Sequence, residues 1–313
     1  MRALNLQTDD MSAMLEEMLK LKSTNMLLQE LSAQQSDDAA QDATIEQLQQ
    51  VVAYSQNLNV ERCELVNGFS LFVNLNDPGY ITQQIRDNHA YEPIETHFIN
   101  THLKAGDTFV DIGANIGYFS ALATHIVGST GRVIAVDPDP ENIAILRLNQ
   151  MLTDTPQVFE AMHMIAGNKN EQGYLYRSPV NYGDHRAFDA LYEDNTCLQK
   201  VPVIEKCLDD ALMNEPRIDF IKIDTQGFEI RIFEGMVELL KRFQPTILFE
   251  LWPYGLRNAG HNPPDLIQLV QDFGYSIYEY EGEEAALTPF VYDASLFEGE
   301  TNKTYLDLLA IKV

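Results

Sequence analysis

Two patterns of apolar spacing divide the chain near Val60. Before that point there is neither Gly nor Pro, and Gln, Leu and Met are abundant, a composition that suits helices. Met11, Met14, Met18 and Leu21 follow 3-4-3 spacing, and the pattern runs through Asn25 to Leu28 before failing at Ser32, about two and a half heptads in all. A polar stretch, SAQQSDDAAQDAT, leads to a second short pattern of Ile45, Leu48 and Val52, with Thr44 placed to cap it. Such stripes need a surface to cover. Residues 11–58 therefore form a coiled coil that dimerises the chain or docks it on a partner, or they pack on the chain's own larger domain; partial disorder is the third option.

From Cys63 the alternation becomes β-like, and Asn67-Gly68 marks a two-residue hairpin turn between CELV and FSLFV. The segment AYEPIETHFINTHLKAG reads as a helix opening near Pro93 and closing at Gly106. Strands are then predicted at Thr108 to Asp111, Arg132 to Asp137, Val158 to Ile165, Ile218 to Asp224, Thr246 to Leu251, Tyr275 to Tyr280 and Tyr305 to Lys312. Helices fall between them at Gly117 to Ile126, Pro140 to Leu152, Glu229 to Phe243 and Pro264 to Phe273. This alternation predicts an α/β fold, a doubly wound, mostly parallel sheet covered on both faces. The expected division is a helical extension over 1–60, a hairpin and helical lead-in over 61–107, and a catalytic domain over 108–313.

Charge narrows the partners. The chain carries 47 acidic and 21 basic side chains, a formal net charge of −26, so its surface repels phosphate backbones and anionic bilayers. Nucleic acid is excluded on that ground; the acidic balance serves solubility or selects a cationic partner. Cys63, Cys197 and Cys207 are odd in number and widely spaced, indicating neither a disulfide framework nor a zinc site. Charged residues interrupt every apolar run of the first thirty positions, so no signal peptide or membrane span is expected, and the reading is cytoplasmic.

The first catalytic-domain strand runs into DIGANIGYFS, Asp111 to Ser120. Gly113 and Gly117, with Asn115 between them, give a sharp turn that a ligand can approach closely, ahead of the free amides of a helix start. Asp111 opposes a pyrophosphate there, and the spacing does not complete GxGxxG. A nucleoside bearing an amino acid fits better: in S-adenosylmethionine an ammonium replaces the pyrophosphate, and Asp111 would hold it directly or through water. Asp137 ends the next strand, where a carboxylate accepts both ribose hydroxyls. Asp139, not Asp137, is the natural cap of the helix begun by Pro140.

Three stretches, FVDIGANIGYFSALAT, AVDPDPENIAILRLN and IDFIKIDTQGFEIRIFEGM, together resemble the FkbM-type S-adenosylmethionine-dependent methyltransferases from roughly Val60 onward. The resemblance implies a seven-stranded Rossmann-like methyltransferase sheet, O-methylation of sugar, glycan or polyketide-like hydroxyls, and an adenine near Ala166. NYGDHR, Asn181 to Arg186, also resembles a segment of part of that family, whereas Gln226 stands where the family commonly carries Glu.

Methyl transfer from a sulfonium is an in-line displacement, so the protein must align two reactants and remove a proton. Lys222 and Asp224 share one face of the fourth strand, and Glu250 ends the neighbouring one. Asp224 serves as base, metal ligand or substrate anchor, or else forms a structural pair with Lys222. Asp224 and Glu250 together suggest a shared Mg ion. His185 has the ordinary pKa of a general base, Arg186 suits a clamp on the acceptor, and Trp252 suits stacking on a sugar face. Two other functions share these features: a NAD-dependent oxidoreductase, and a non-catalytic scaffold working through the helical arm.

Overall fold

The computed structural model describes residues 47, 49–189, 199–281, 286–297 and 304–312. The heptad run and Thr44 lie outside the described residues. Residues 49–55 are helical, and Val51 is buried in a core shared with the larger domain. After them come strands β1 (Val60–Glu64) and β2 (Ser70–Asn74) and helices α1 (Tyr80–Asn88) and α2 (Pro93–His102). The hairpin forms with a three-residue loop, Val66-Asn67-Gly68, in place of the expected two: Gly68 N–H donates to the Leu65 carbonyl at 3.0 Å and Leu65 N–H to the Phe69 carbonyl at 2.9 Å.

The remaining elements are β3 (Thr108–Ile112), α3 (Tyr118–Val127), β4 (Arg132–Asp137), α4 (Pro140–Leu152), β5 (Phe159–His163), β6 (Ile165–Gly167), β7 (Glu171–Arg177), β8 (Gln199–Cys207), α5 (Leu208–Leu212), β9 (Phe220–Ile223), α6 (Glu229–Glu234), α7 (Val237–Phe243), β10 (Thr246–Leu251), α8 (Pro253–Asn258), α9 (Pro263–Asp272), β11 (Tyr275–Glu281), β12 (Ala286–Pro289) and β13 (Leu306–Lys312). The central sheet has the order β12-β11-β13-β10-β9-β3-β4-β5. From β10 to β5 all pairings are parallel, and β13 runs antiparallel between β10 and β11. Both faces are buried. Val110, Ile112, Ile221 and Ile223 enter one core, and Phe109, Val133, Ala135 and Phe220 enter the other, as strict alternation requires.

Three expectations are corrected. The central sheet has eight strands among the described residues, because β12 adds an antiparallel edge to β11. The predicted strand from Val158 to Ile165 divides: β5 stays in the main sheet, while β6 leaves it to form a three-stranded sheet with β8 and β7. The helix predicted from Glu229 to Phe243 breaks before Val237. The reason is tertiary: the Asp209 carboxylate accepts the Glu238 and Leu239 N–H groups at 3.0 and 2.8 Å, so a new helix start is capped by a remote side chain.

Asn149 on α4 ties the hairpin to the first strand's turn. Its amide accepts Phe72 N–H at 2.6 Å and donates to the carbonyls of Phe72 at 3.0 Å and Ile116 at 2.7 Å, all within the buried interior. Asn149→Ala leaves those backbone groups unpaired and is expected to cost about 2–4 kcal/mol. Urea denaturation checks this: the midpoint falls while the slope of free energy against urea is unchanged.

Candidate active site

The chain reverses its direction of strand addition at β3, with β4 on one side and β9 on the other. Ligands of doubly wound sheets bind beyond the carboxyl ends of strands at such a point. Gly113 follows β3 and Asp224 follows β9; Asp224 N–H donates to the Ile112 carbonyl at 3.0 Å, bringing the two turns together. Gly113 has φ +83°, and a Cβ there would lie 1.8 Å from the Asp224 carbonyl oxygen, so only glycine closes this crossing.

Two contiguous cavities open here, sharing Gly113, Asn115, Gly183, Asp224 and Gln226. The smaller, about 60 Å³, runs past Asp137, Asn142, Met164, Ala166 and Phe228. The larger, about 520 Å³, is walled by Tyr91, Glu92, Phe119, Lys222, Glu250 and Trp252. Of the sequence-predicted cofactor residues, Gly113, Asn115, Asp137 and Ala166 therefore line the smaller cavity.

Asp137 is buried, and its carboxylate is already heavily bonded. Oδ1 accepts Asp139 N–H at 2.8 Å and the Asn142 amide at 3.2 Å, and Oδ2 accepts Asn115 N–H at 2.8 Å. With two lone pairs per oxygen, Oδ1 is filled and Oδ2 keeps one acceptor position. Where acceptance of two ribose hydroxyls was expected, one acceptor position is left. Burial and the neighbouring Asp139 push the Asp137 carboxyl up to about 8, against the pull of its three donors. Asp139 caps α4 as expected, accepting the Glu141 and Asn142 N–H groups.

Asp111 lines neither cavity. Strand alternation turns it away from Ile112 and toward α3, where Ser120 Oγ donates to its Oδ2 at 2.6 Å. Burial raises its pKa, while Lys222 and Ser120 oppose the rise. The residue expected to hold a ligand ammonium directly or through water thus lies outside both cavities, against Ser120. Gly117 takes φ +88° as the residue before α3, packed against Leu146 rather than in either cavity.

The predicted reaction residues separate into two groups. Lys222, Asp224 and Glu250 meet in the larger cavity. Lys222 Nζ lies 3.1 Å from Asp224 Oδ2 and 4.6 Å from the centre of the Phe119 ring. Burial pulls the ammonium's pKa down, but Asp224, Glu92, Asp111 and Asp307 override it, so Lys222 stays charged. Glu250 is raised well above the usual carboxylate range by burial and then by Asp224, Glu229 and Glu92. Gln226, at φ +55°, places its Nε2 2.8 Å from Asp224 Oδ1 and 3.2 Å from Glu250 Oε2. Its two amide protons stand where a shared divalent ion would be needed, and among the described residues no cluster of three metal-binding side chains occurs. These residues do not fit a Mg ion.

His185 and Arg186 belong elsewhere. His185 lines the smaller cavity, but its Nδ1 accepts Ser178 N–H at 3.0 Å and its Nε2 lies 3.4 Å from Asp139 Oδ2. Burial, offset in part by Asp139, holds its pKa down to about 4, so the expected base at ordinary histidine pKa is replaced by a neutral, fixed ring. Arg186 is buried in a bidentate pair with Asp184 and lies 5.1 Å from the Trp252 ring and 5.8 Å from the Tyr254 ring, outside both cavities. Trp252 itself is buried but borders the larger cavity.

Glu92, Tyr91 and Tyr182 were not legible as cavity residues. Glu92 precedes α2 at φ +38° without capping it, and burial pushes its carboxyl up to about 8, with Asp224 and Glu95 adding to the rise and Lys222 opposing it. The one available signal was Glu before Pro93, at a cap position that favours Ser, Thr, Asp or Asn. No helix among the described residues is long and apolar enough to cross a membrane.

The chain is similar to the methyltransferase sdnD of Sordaria araneosa, 24% identical over 234 residues that cover 66% of this chain and 85% of that protein. Among solved structures, it is similar to a methyltransferase FkbM from Methylobacillus flagellatus KT (14% identity, TM-score 0.41), over 94% of this chain and 60% of that one. A TehB-like SAM-dependent methyltransferase from Corynebacterium glutamicum matches at 10% identity and TM-score 0.43, over 74% and 94% of the two chains. The chain thus spans about 60% of the length of the Methylobacillus protein. The family model of the methyltransferase FkbM domain matches residues 111–277, which hold the β3 turn, Asp137, Asp224 and Glu250. Since that match takes in more than half of the 313 residues, the protein belongs to the FkbM methyltransferase family.

Proposed function

We propose that this protein transfers the methyl group of S-adenosylmethionine to a hydroxyl of a sugar, glycan or polyketide-like acceptor. The observation that carries this reading is Asp224, the carboxylate common to a narrow nucleoside-type cavity and a broad aromatic one. Asp137 Oδ2 would receive a ribose hydroxyl, and Met164, Ala166 and Phe228 supply apolar walls for the base. When bound, the cofactor supplies an electrophilic methyl group on sulfur. Lys222 and Gln226 fix the Asp224 carboxylate from two sides. Asp224 holds the acceptor hydroxyl and takes its proton as the oxygen–carbon bond forms and the carbon–sulfur bond breaks. Glu250, its carboxyl raised well above the usual range by burial, faces the acceptor, and Tyr91 and Trp252 form apolar walls beside it.

Calorimetric titration with S-adenosylhomocysteine and, separately, NAD tests the cofactor assignment. S-adenosylhomocysteine alone is expected to bind, and Asp137→Ala to weaken it by about 10- to 100-fold. Binding of NAD alone would overturn the reading.

The same residue sets a pH dependence. A ribose hydroxyl donates to the ionised carboxylate, so affinity should rise up to tenfold per pH unit below about 8 and level off above it. The ligand-free fold should show the opposite trend. With its folded pKa raised from 3.8 to about 8, Asp137 binds more protons in the folded state, so its contribution to stability is present below pH 3.8 and lost as pH rises through about 8. Asp137→Asn should remove both dependences, which calorimetry and thermal melting across pH would register.

A further inference from the structure

Arg177, at the end of β7, extends a buried guanidinium among four other parts of the fold. Its Nε lies 2.6 Å from Asp139 Oδ2, and its Nη2 donates to Glu141 Oε2 at 2.6 Å. Its Nη1 donates to the Tyr54 hydroxyl at 2.9 Å and to Gln199 Oε1 at 3.2 Å. The rings of Tyr54 and Tyr182 each lie 5.4 Å from its central carbon. Tyr54 belongs to the helical segment 49–55, which lies outside the residues matched by the family model.

We infer that Arg177 is a positioning residue for cofactor binding, clamping the N-terminal helical segment and the first turn of α4 so that Asp137 is presented to the ribose. This rests on assigning the smaller cavity to the cofactor. The geometry is direct. Both donors to Asp137 Oδ1, the Asp139 N–H and the Asn142 amide, sit at the start of α4. Arg177 holds that turn through the side chains of Asp139 and Glu141. Tyr182, whose ring packs on the guanidinium, lines the cofactor cavity, and its carbonyl accepts the Asn115 amide at 3.1 Å. One cation thereby fixes both the wall opposite Asp137 and the turn beneath it.

Charge gives the clamp a signature that packing alone would lack. Asp137, Asp139 and Glu141 crowd three carboxylates at one helix start, all buried. The other titratable groups beside them are His163 on β5, with Arg147 of α4 acting on it, and Tyr182 and His185 in the loop after β7, with Asp77 before α1 acting on both. Both histidines are held down to about 4 by burial and are neutral at physiological pH. Arg177 is the cation in contact with Asp139 and Glu141 among the described residues. Without it, the Asp139 carboxylate that already opposes ionisation of Asp137 loses its partner cation, and a charged Asp137 becomes harder to form.

The test is titration of the full chain with S-adenosylhomocysteine between about pH 6 and pH 9, alongside thermal melting. Arg177→Met should weaken binding by about tenfold or more and move the pH midpoint of binding upward by about one unit. Arg177→Lys, which keeps the charge and loses the fork, should restore most of the midpoint and only part of the affinity. Tyr54→Phe, which removes a single hydroxyl, should weaken binding by about two- to fivefold. An unchanged midpoint in Arg177→Met would overturn the inference, even if the melting temperature falls. If that variant does not fold, Tyr54→Phe decides: wild-type affinity overturns the clamp. Failure of the wild-type chain to bind S-adenosylhomocysteine at all removes the cofactor reading together with this one, whereas wild-type binding with an unchanged midpoint in Arg177→Met removes only this one.

Discussion

Asp224→Asn should lower kcat/KM by about 10²- to 10⁴-fold, the usual loss on removing a positioned proton acceptor. The substitution keeps the shape of the side chain and an oxygen for the Gln226 amide that now lies 2.8 Å from Oδ1. It removes the negative charge that Lys222 pairs with and the capacity to take a proton. Lys222 would remain near Glu92, Asp111 and Asp307, the acidic neighbours that with Asp224 offset its burial, so the fold should persist. The measurement is S-adenosylhomocysteine release from S-adenosylmethionine over a panel of hydroxylated acceptors, with and without magnesium, and circular dichroism as the control for folding. Normal turnover by the variant would remove Asp224 from the centre of the reaction. Magnesium should leave the wild-type rate unchanged, since Gln226 already bridges the two carboxylates that would share an ion.

Gly113→Ala should damage both stability and turnover. Its Cβ would stand 1.8 Å from the Asp224 carbonyl oxygen and 2.9 Å from the carbonyl carbon, and the backbone is held at φ +83°. Left-handed strain and forced displacement together should cost about 3–5 kcal/mol. The neighbour that must move is the backbone of Asp224, so the loss should reach chemistry as well as stability. Chemical denaturation and a turnover assay on the folded fraction separate the two. A variant with wild-type midpoint and wild-type rate would show that the crossing of the two turns can relax, which the geometry denies.

The strand ends carrying Asp137, Asp224 and Glu250 were legible because period-two alternation and the glycine turn are local signals, and each depends on only a few adjacent residues. Strand β10 and helix α4 match their predicted limits, Thr246 to Leu251 and Pro140 to Leu152. In α4 the reason is explicit: Asp139 and Pro140 supply a cap and a first-turn residue without outside help. The break before Val237 was not legible, since the group that caps the new helix is Asp209, from a different element.

The roles within the site divide along the same line. Sequence alone determined the family, the doubly wound sheet, the turn at Gly113 and the presence of acids at successive strand ends. Tertiary structure alone decided which of those acids line a cavity. Asp111 turned under the sheet to Ser120, His185 was fixed against Ser178 N–H beside Asp139, Arg186 was closed onto Asp184, and Glu92 was brought into the larger cavity from outside the matched residues. The physical reason is range. A propensity or a cap is settled within one or two turns of chain, whereas the ionisation and direction of a buried carboxylate are settled by groups tens to hundreds of positions away. Gln226 reaching Glu250 and Arg177 reaching Asp139 are the cases that matter most here.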